Sequence, residues 1–302
     1  MIARAPRLSA VVIAQDEEAR LGPCLDSLAF ADEVVLVDGG SRDGTVALAR
    51  ARAPHVRVVE AAFRGYGSAR ERGRREARGE WVLAVDADER VPAALAVEIR
   101  ARLGAIHATG GDEPLAAAAA RGGPDAFRLA IKTYYRDRWL RHGGFWPARR
   151  VRLFRREQAR YAEGREVHER VEVQAAGGGA PRIDDLDTPL EHRSYGSFGE
   201  ALRRVERYST MAAAELHARG ARAGAWRAAL HGTARFLRGY LWRGGFLDGV
   251  PGLWFAALGG YEALAKYAKL WELGTADVPA LARKRAAAGE PIQAPERDEC
   301  SS

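Results

Sequence analysis

Three apolar runs of strand length, residues 8–14, 33–37 and 82–85, each end abruptly in acidic residues. The first runs into Gln15-Asp16-Glu17-Glu18, the second into Asp38-Gly39-Gly40-Ser41-Arg42-Asp43-Gly44-Thr45, and the third into Asp86-Ala87-Asp88-Glu89. Unbroken Val, Ile and Leu runs suit strands buried on both faces, the habit of parallel sheets, which need crossover helices between their strands. Helix-period segments lie where they are needed. Residues 21–30 put Leu21, Cys24, Leu25 and Leu28 on one face, residues 45–52 follow the glycine turn, and residues 64–78 form a basic segment with Arg64, Arg70 and Arg74. Residues 56–60 supply a further strand. Strand and helix in alternation predict a parallel α/β sheet whose ligands gather at the carboxyl ends of the strands. Asp16, Asp38, Asp86 and Asp88 all follow strand ends and are expected on one rim. Carboxylates this close repel one another, and a Mg²⁺ or Mn²⁺ ion bridging to phosphate oxygens relieves that cost. Gly39 and Gly40 permit close backbone approach, and Ser41 or Asp43 suits the cap of the next helix.

Residues 11–49, with Cys24-Leu25-Asp26-Ser27-Leu28 and the Asp38–Thr45 turn, resemble the family 2 glycosyltransferases, and Asp86-Ala87-Asp88 matches that family's metal-binding Asp-X-Asp. The likeness continues through residues 141–147 (Arg-His-Gly-Gly-Phe-Trp-Pro), 152–156, 167–169 (Val-His-Glu), 245–249 and 266–272, which look like the bacterial lipopolysaccharide-core glucosyltransferase branch. Asp16-Glu17 stands where many relatives carry Asn-Glu. The resemblance implies a GT-A fold: an α/β, Rossmann-like mixed sheet followed here by a helical, membrane-apposed C-terminal extension. It implies an inverting transfer of a hexose, glucose from UDP-glucose, onto a lipid-linked oligosaccharide such as the lipopolysaccharide inner core, with a polyprenyl phosphate as the alternative acceptor. Carried over residue by residue, Asp16, Glu17, Asp38, Asp86 and Arg70 would hold the nucleotide-sugar. Asp88 would ligate the Mn²⁺ or Mg²⁺ ion, with His192 completing its shell, since imidazole is an acceptable Mn²⁺ ligand. Glu169 would be the general base, with His168 its competitor. Trp139, Arg141, His142 and Trp146, aromatics mixed with cations, suit a phosphorylated saccharide acceptor.

The net charge of +7 points to anionic partners: nucleotides, phosphorylated glycans or anionic lipid headgroups. A non-catalytic polyanion-binding protein would account for the charge. It would not account for carboxylates at three strand ends, which repel phosphate unless a metal intervenes, so nucleic acid is not an expected partner. Cys24 lies in a helix-like segment and Cys300 near the end, so no disulfide framework is expected and a reducing compartment is. The run 8–14 reads as a strand and not as a signal peptide, which places the chain in the cytoplasm.

Residues 1–197 are expected to form the catalytic domain, interrupted by an alanine-rich insertion at 109–124. From 198 to 273 the pattern is helical: Leu202, Val205, Tyr208, Met211 and Leu216 share a broad face, and residues 226–267 are rich in Trp, Phe, Leu and Arg. The uncharged run between Asp248 and Glu262 is too short and glycine-rich to span a bilayer. Arginines beside aromatics suit helices lying in the headgroup layer of the inner membrane's cytoplasmic face. Residues 274–302 read as a disordered tail.

Overall fold

A computed structural model describes residues 7–110, 123–161, 171–175 and 178–275. The four expected strands form as β1 (Leu8–Ala14), β2 (Glu33–Asp38), β3 (Val56–Glu60) and β4 (Trp81–Asp86). They pair in the order β3-β2-β1-β4, all parallel. Every residue of β1 except Ile13 is buried, which is why its sequence shows no alternation. The register sets Ala14 beside Asp38 and Ile13 beside Asp86, so the acidic ends of three strands share one edge. The crossovers are α1 (Glu18–Ser27), α2 (Thr45–Arg50) and α3 (Tyr66–Glu76). α1 buries Leu21, Cys24 and Leu25, and Leu28 is buried just past its end, as the spacing predicts.

Beyond β4 the sheet becomes mixed. In chain order follow β5 (Glu89–Arg90), α4 (Ala93–Gly110), β6 (Ala126–Tyr135), β7 (Arg138–Trp139), β8 (Ala148–Arg155), β9 (Ala159–Tyr161), β10 (Val171–Val173), β11 (Ile183–Asp185) and β12 (Leu190–Tyr195). β8 runs antiparallel between β4 and β6, and β12 runs parallel to β6. The two residues of β5 then pair antiparallel with β12, setting His192 opposite Glu89. Among the described residues the main sheet has ten strands, with β7 and β11 also on β6, and β9 and β10 form a separate ladder. One face of the sheet is filled by a core around Trp81, Leu95, Ile99 and Phe127, and the other by one around Val11, Val37, Phe154 and Tyr161.

The extension is three helices: α5 (Phe198–Ala218), α6 (Ala225–Leu237) and α7 (Val250–Thr275). Ser197 starts α5 with a capping box: its hydroxyl accepts from the Glu200 amide, and the Glu200 carboxylate accepts from the Ser197 amide. A π turn (Arg238–Trp242) and a 3-10 turn (Gly245–Asp248) join α6 to α7. Phe255 of α7 fixes the extension to the sheet, its ring meeting those of Tyr135, Phe145 and Tyr195 at 5.3, 5.6 and 4.7 Å. Burying such a ring is worth about 2 kcal/mol. No described helix is long and apolar enough to cross a membrane.

The α6–α7 turn closes so tightly that a Cβ on Gly252 would lie 1.8 Å from the Gly245 carbonyl oxygen. Gly252→Ala is therefore expected to cost at least the ~1–3 kcal/mol of ordinary overpacking. Gly104→Ala, on a stretch of α4 with open space at the Cβ, should be neutral or stabilising. Urea unfolding midpoints of the two variants check the difference.

Candidate active site

At the rim, the turn after β1 and the loop after β2 are stitched together side chain to backbone. The Asp16 carboxylate accepts from the Arg42 amide at 2.7 Å, and the Asp16 amide donates to the Ser41 hydroxyl at 2.9 Å. The Glu17 amide donates to Thr45 Oγ1 at 2.9 Å, and Glu18 exchanges bonds with Asp43 and Gly44. Asp16 holds φ +56°, a left-handed conformation that Asn and Asp tolerate better than most residues, so the Asp found here keeps the turn that Asn would make. Asp43 caps the start of α2, accepting from the Thr45 amide at 3.0 Å.

Below this rim lies a cavity of about 280 Å³. Gln15, Glu17 and Gly39 line it from the first two strand ends, and Asp86, Ala87 and Asp88 from the third. Phe63, Tyr66 and Arg70 close one side, and His192 enters from β12. The remaining wall comes from the helical extension: Arg204, Arg207 and Tyr208 of α5 and Glu262 of α7.

Charge in the cavity is arranged in a chain. Asp88, 7 % exposed, has His192 Nε2 3.1 Å from Oδ1 and receives Arg204 Nη2 on Oδ2 at 3.0 Å. Asp86 accepts from Arg70 on Oδ1 at 2.5 Å and from Arg152 on Oδ2 at 3.0 Å. The same Arg152 nitrogen donates to Glu89 Oε1 at 2.7 Å, while Glu89 Oε2 accepts from the Asp86 amide at 2.8 Å. Burial pushes the Asp88 carboxyl up, but the charges of His192 and Arg204 outweigh it and hold the group well below the usual carboxylate range. Asp86 is likewise held down by Arg70 and Arg152 against burial. Burial, with the charge of Asp86, pushes Glu89 up in spite of Arg152. Glu17 is raised by burial and by the charge of Asp88. For His192 burial lowers the pKa, and Asp88 more than restores it.

Of the residues expected at the nucleotide-sugar, Glu17, Asp86 and Arg70 meet at this cavity, together with Asp88 and His192, expected at the metal. Asp16 and Asp38 do not line it. Asp38, almost fully buried, spends its carboxylate inside its own turn, accepting from the Gly40 and Ser41 amides at 2.9 and 3.0 Å. Arg64 and Arg74 stay away as well, Arg74 binding Glu71 and the Arg156 carbonyl. Glu169 and His168 lie outside the described residues. Arg152, Glu89, Arg204, Tyr66 and Glu262 went unassigned in the sequence. Arg204, Arg207 and Tyr208, at i, i+3 and i+4, carried a usable signal: charge and phenol together on one helix face.

Residues 9–99 match the glycosyl transferase family 2 model. This chain is a glycosyltransferase with a family 2 domain. It is similar to the lipopolysaccharide core biosynthesis glycosyltransferase LpsC of Rhizobium meliloti (strain 1021), at 29 % identity over 275 residues, covering 90 % of this chain and 94 % of the relative. An uncharacterized glycosyltransferase of Rickettsia typhi is 25 % identical over 272 residues, 88 % of this chain and 87 % of its own. Among solved structures, S. aureus TarS 1-349 in complex with UDP-GlcNAc aligns with a TM-score of 0.41 at 16 % identity, over 95 % of this chain and 93 % of that one. A glucosyl-3-phosphoglycerate synthase from Mycobacterium tuberculosis, in complex with Mn²⁺, UDP and phosphoglyceric acid, aligns with a TM-score of 0.30 at 24 % identity over 44 % of each chain.

A divalent cation at the Asp-X-Asp motif would find two protein donors. Asp88 and His192 bring a carboxylate and an imidazole together at the cavity wall, a donor pair suited to Mn²⁺. Among the described residues no group of three or more His, Cys, Asp and Glu is arranged to hold a metal. The remaining positions would fall to water and phosphate oxygens, the common arrangement where one or two carboxylates hold Mg²⁺.

The four residues expected at the acceptor form a separate cluster. Trp139 and Trp146 meet edge to face at 5.2 Å, and the Arg141 guanidinium lies 4.4 Å over Trp139. Asp248 anchors the group from 107 residues beyond Arg141, accepting the Arg141 and His142 amides at 2.9 and 2.8 Å and facing His142 Nδ1 at 2.8 Å. None of the four lines the cavity.

The glycosyltransferase should lose stability on the alkaline side. His192 titrates above its ordinary value of 6.5 when folded, so the stability carried by its pairing with Asp88 is fully present below that value. It disappears as pH rises through the folded pKa. Melting temperatures from pH 6 to pH 9 should fall in the native protein, with a flatter decline in His192→Gln.

Proposed function

We propose that this glycosyltransferase moves a hexose, glucose from UDP-glucose, onto a lipid-linked oligosaccharide of the lipopolysaccharide inner core. The observation that carries the reading is the Asp88–His192 pair in the wall of a cavity at the strand ends, flanked by Arg70 and Arg204. Likeness to an LPS-core enzyme over most of the chain supports the acceptor class.

Glu17 and the Asp16 and Asp38 turns form the nucleoside end of the site, and Asp86 reaches the ribose. Asp88 and His192 would hold a Mn²⁺ or Mg²⁺ ion, which would supply positive charge against the charge that grows on the leaving diphosphate. Arg70 and Arg204 stand beside that position and add cationic donors. The acceptor hydroxyl attacks the anomeric carbon on the side opposite the diphosphate. The bond from that carbon to the phosphate oxygen breaks, the configuration inverts, and the hydroxyl proton passes to Glu169, with His168 as the competing base. Trp139, Arg141, His142 and Trp146 hold the acceptor through ring stacking and phosphate pairing. The enzyme works peripherally on the cytoplasmic face of the inner membrane.

Calorimetric titration with UDP and UDP-glucose, with and without Mn²⁺, tests the donor. Metal-dependent binding of both is expected. Absence of binding with either Mn²⁺ or Mg²⁺ present would overturn the UDP-sugar assignment.

A further inference from the structure

The helical extension leaves a second apolar face uncovered. At 3.6 residues per turn, Ala228, Gly232, Phe236 and Gly239 fall on one side of α6 and the π turn that continues it. That side packs on α7, where a Cβ on Gly232 would lie 3.0 Å from Leu264 Cβ and 3.1 Å from the Gly260 carbonyl oxygen. Trp226, Leu230, Leu237 and Leu241 fall on the opposite side, within about 60° of one another. All four are exposed, Trp226 at 66 %. The stripe ends at the α6–α7 turn, where Trp242 is 90 % exposed and Phe246, Leu247 and Val250 stand in solvent beside it.

The charges around this face are of one sign. From residue 216 to 247 there are six arginines and no aspartate or glutamate. The first acid after them, Asp248, is 6 % exposed and turned inward onto the Arg141–His142 backbone and the His142 ring, so it adds no negative charge to the tip. Arg227 and Arg238 flank the stripe on the helix, and Arg243 follows Trp242 at the tip. The partner of such a surface must be apolar in depth and anionic at its boundary. A second copy of the same face would bring arginine against arginine.

We propose that this face is a membrane-docking surface: the α6–α7 turn inserts Leu241, Trp242, Phe246 and Leu247 into the acyl boundary of an anionic bilayer. The α6 stripe lies along the interface, and its arginines sit among the lipid phosphates. Arg204, Tyr208 and Glu262 belong to helices packed with this surface, so docking holds the donor cavity at a fixed height above the headgroups. The inference stands on the exposed face and rests on no donor or acceptor assignment.

The test is co-sedimentation of the full chain with vesicles of phosphatidylcholine alone and of phosphatidylcholine with 30 mol % phosphatidylglycerol (about the anionic content needed to attract basic surfaces). Binding to the anionic vesicles is expected at low salt, at least tenfold weaker to neutral vesicles. Trp242→Glu should lower anionic-vesicle binding at least tenfold. Val97→Ser, at an exposed residue on α4, should leave it unchanged. Unchanged vesicle binding in Trp242→Glu, or none in the native chain, would overturn the proposal. So would a concentration-dependent dimer in light scattering that Trp242→Glu dissolves, since the face would then join two copies. UDP titration of the native chain separates the readings: no vesicle binding with UDP binding intact sinks the docking surface alone, and the reverse result sinks the donor site alone.

Discussion

Asp88→Asn is expected to lower glycosyl transfer by about 10²–10³-fold, the range seen when one charge-stabilising group is removed from a reacting centre. The carboxylate is the meeting point of His192 and Arg204 and the one acid of the motif whose partners are both set in the cavity wall. An amide keeps its shape and loses its charge, so it ligates a divalent ion weakly and leaves two cationic groups facing each other. Calorimetry should show the Mn²⁺-dependent part of UDP binding gone, while circular dichroism shows the fold retained. Transfer within tenfold of native would mean that Asp88 serves the fold and not the donor.

Arg152→Met is expected to cost about 3–5 kcal/mol of folding stability, the penalty for removing one partner of a buried ion pair. A single guanidinium nitrogen serves both Asp86 and Glu89, and Glu89 is fully buried. Methionine fills the space but leaves Glu89 without its cation and Asp86 with Arg70 alone. Adding Glu89→Gln should recover a substantial part of the loss, because it removes the uncompensated charge that has no water to turn to. Urea unfolding of the single and double variants measures both quantities. A single-variant loss below about 1 kcal/mol, the value of an exposed pair, would show that water reaches this cluster.

The parallel half of the sheet was legible because its information is local. Runs such as residues 8–14 are buried on both faces, and an acid at the end of each run marks where the backbone leaves the core. The register then puts Asp38 and Asp86 on either side of β1 without further instruction. Side-chain destinations were not local. Asp38 has the position of a ligand-binding acid, yet its carboxylate is taken by amides two and three residues on, a competition that spacing does not reveal. His192 reaches Asp88 through a two-residue strand, Glu89–Arg90, too short to leave a periodic signature. The resemblance supplied that pair; the residues by themselves did not. Arg152 reads as one more cation in a basic stretch, and only the antiparallel insertion of β8 beside β4 aims it at Asp86 and Glu89. The Trp139–Trp146 cluster was recognisable as an aromatic and cationic group, but its anchor, Asp248, lies 107 residues from Arg141 in the chain.

One wall of the cavity comes from α5 and α7, which lie beyond the boundary at residue 197 where the sequence pattern changes. A chimera cut at that boundary does not exchange a self-contained module. It replaces Arg204, Arg207, Tyr208 and Glu262, four of the residues that line the cavity. The cavity lining and the surface that faces outward are therefore inherited as one piece in this architecture. Variation in the helices of related chains should track changes in the sugar donor as closely as variation in the Asp-X-Asp strand does.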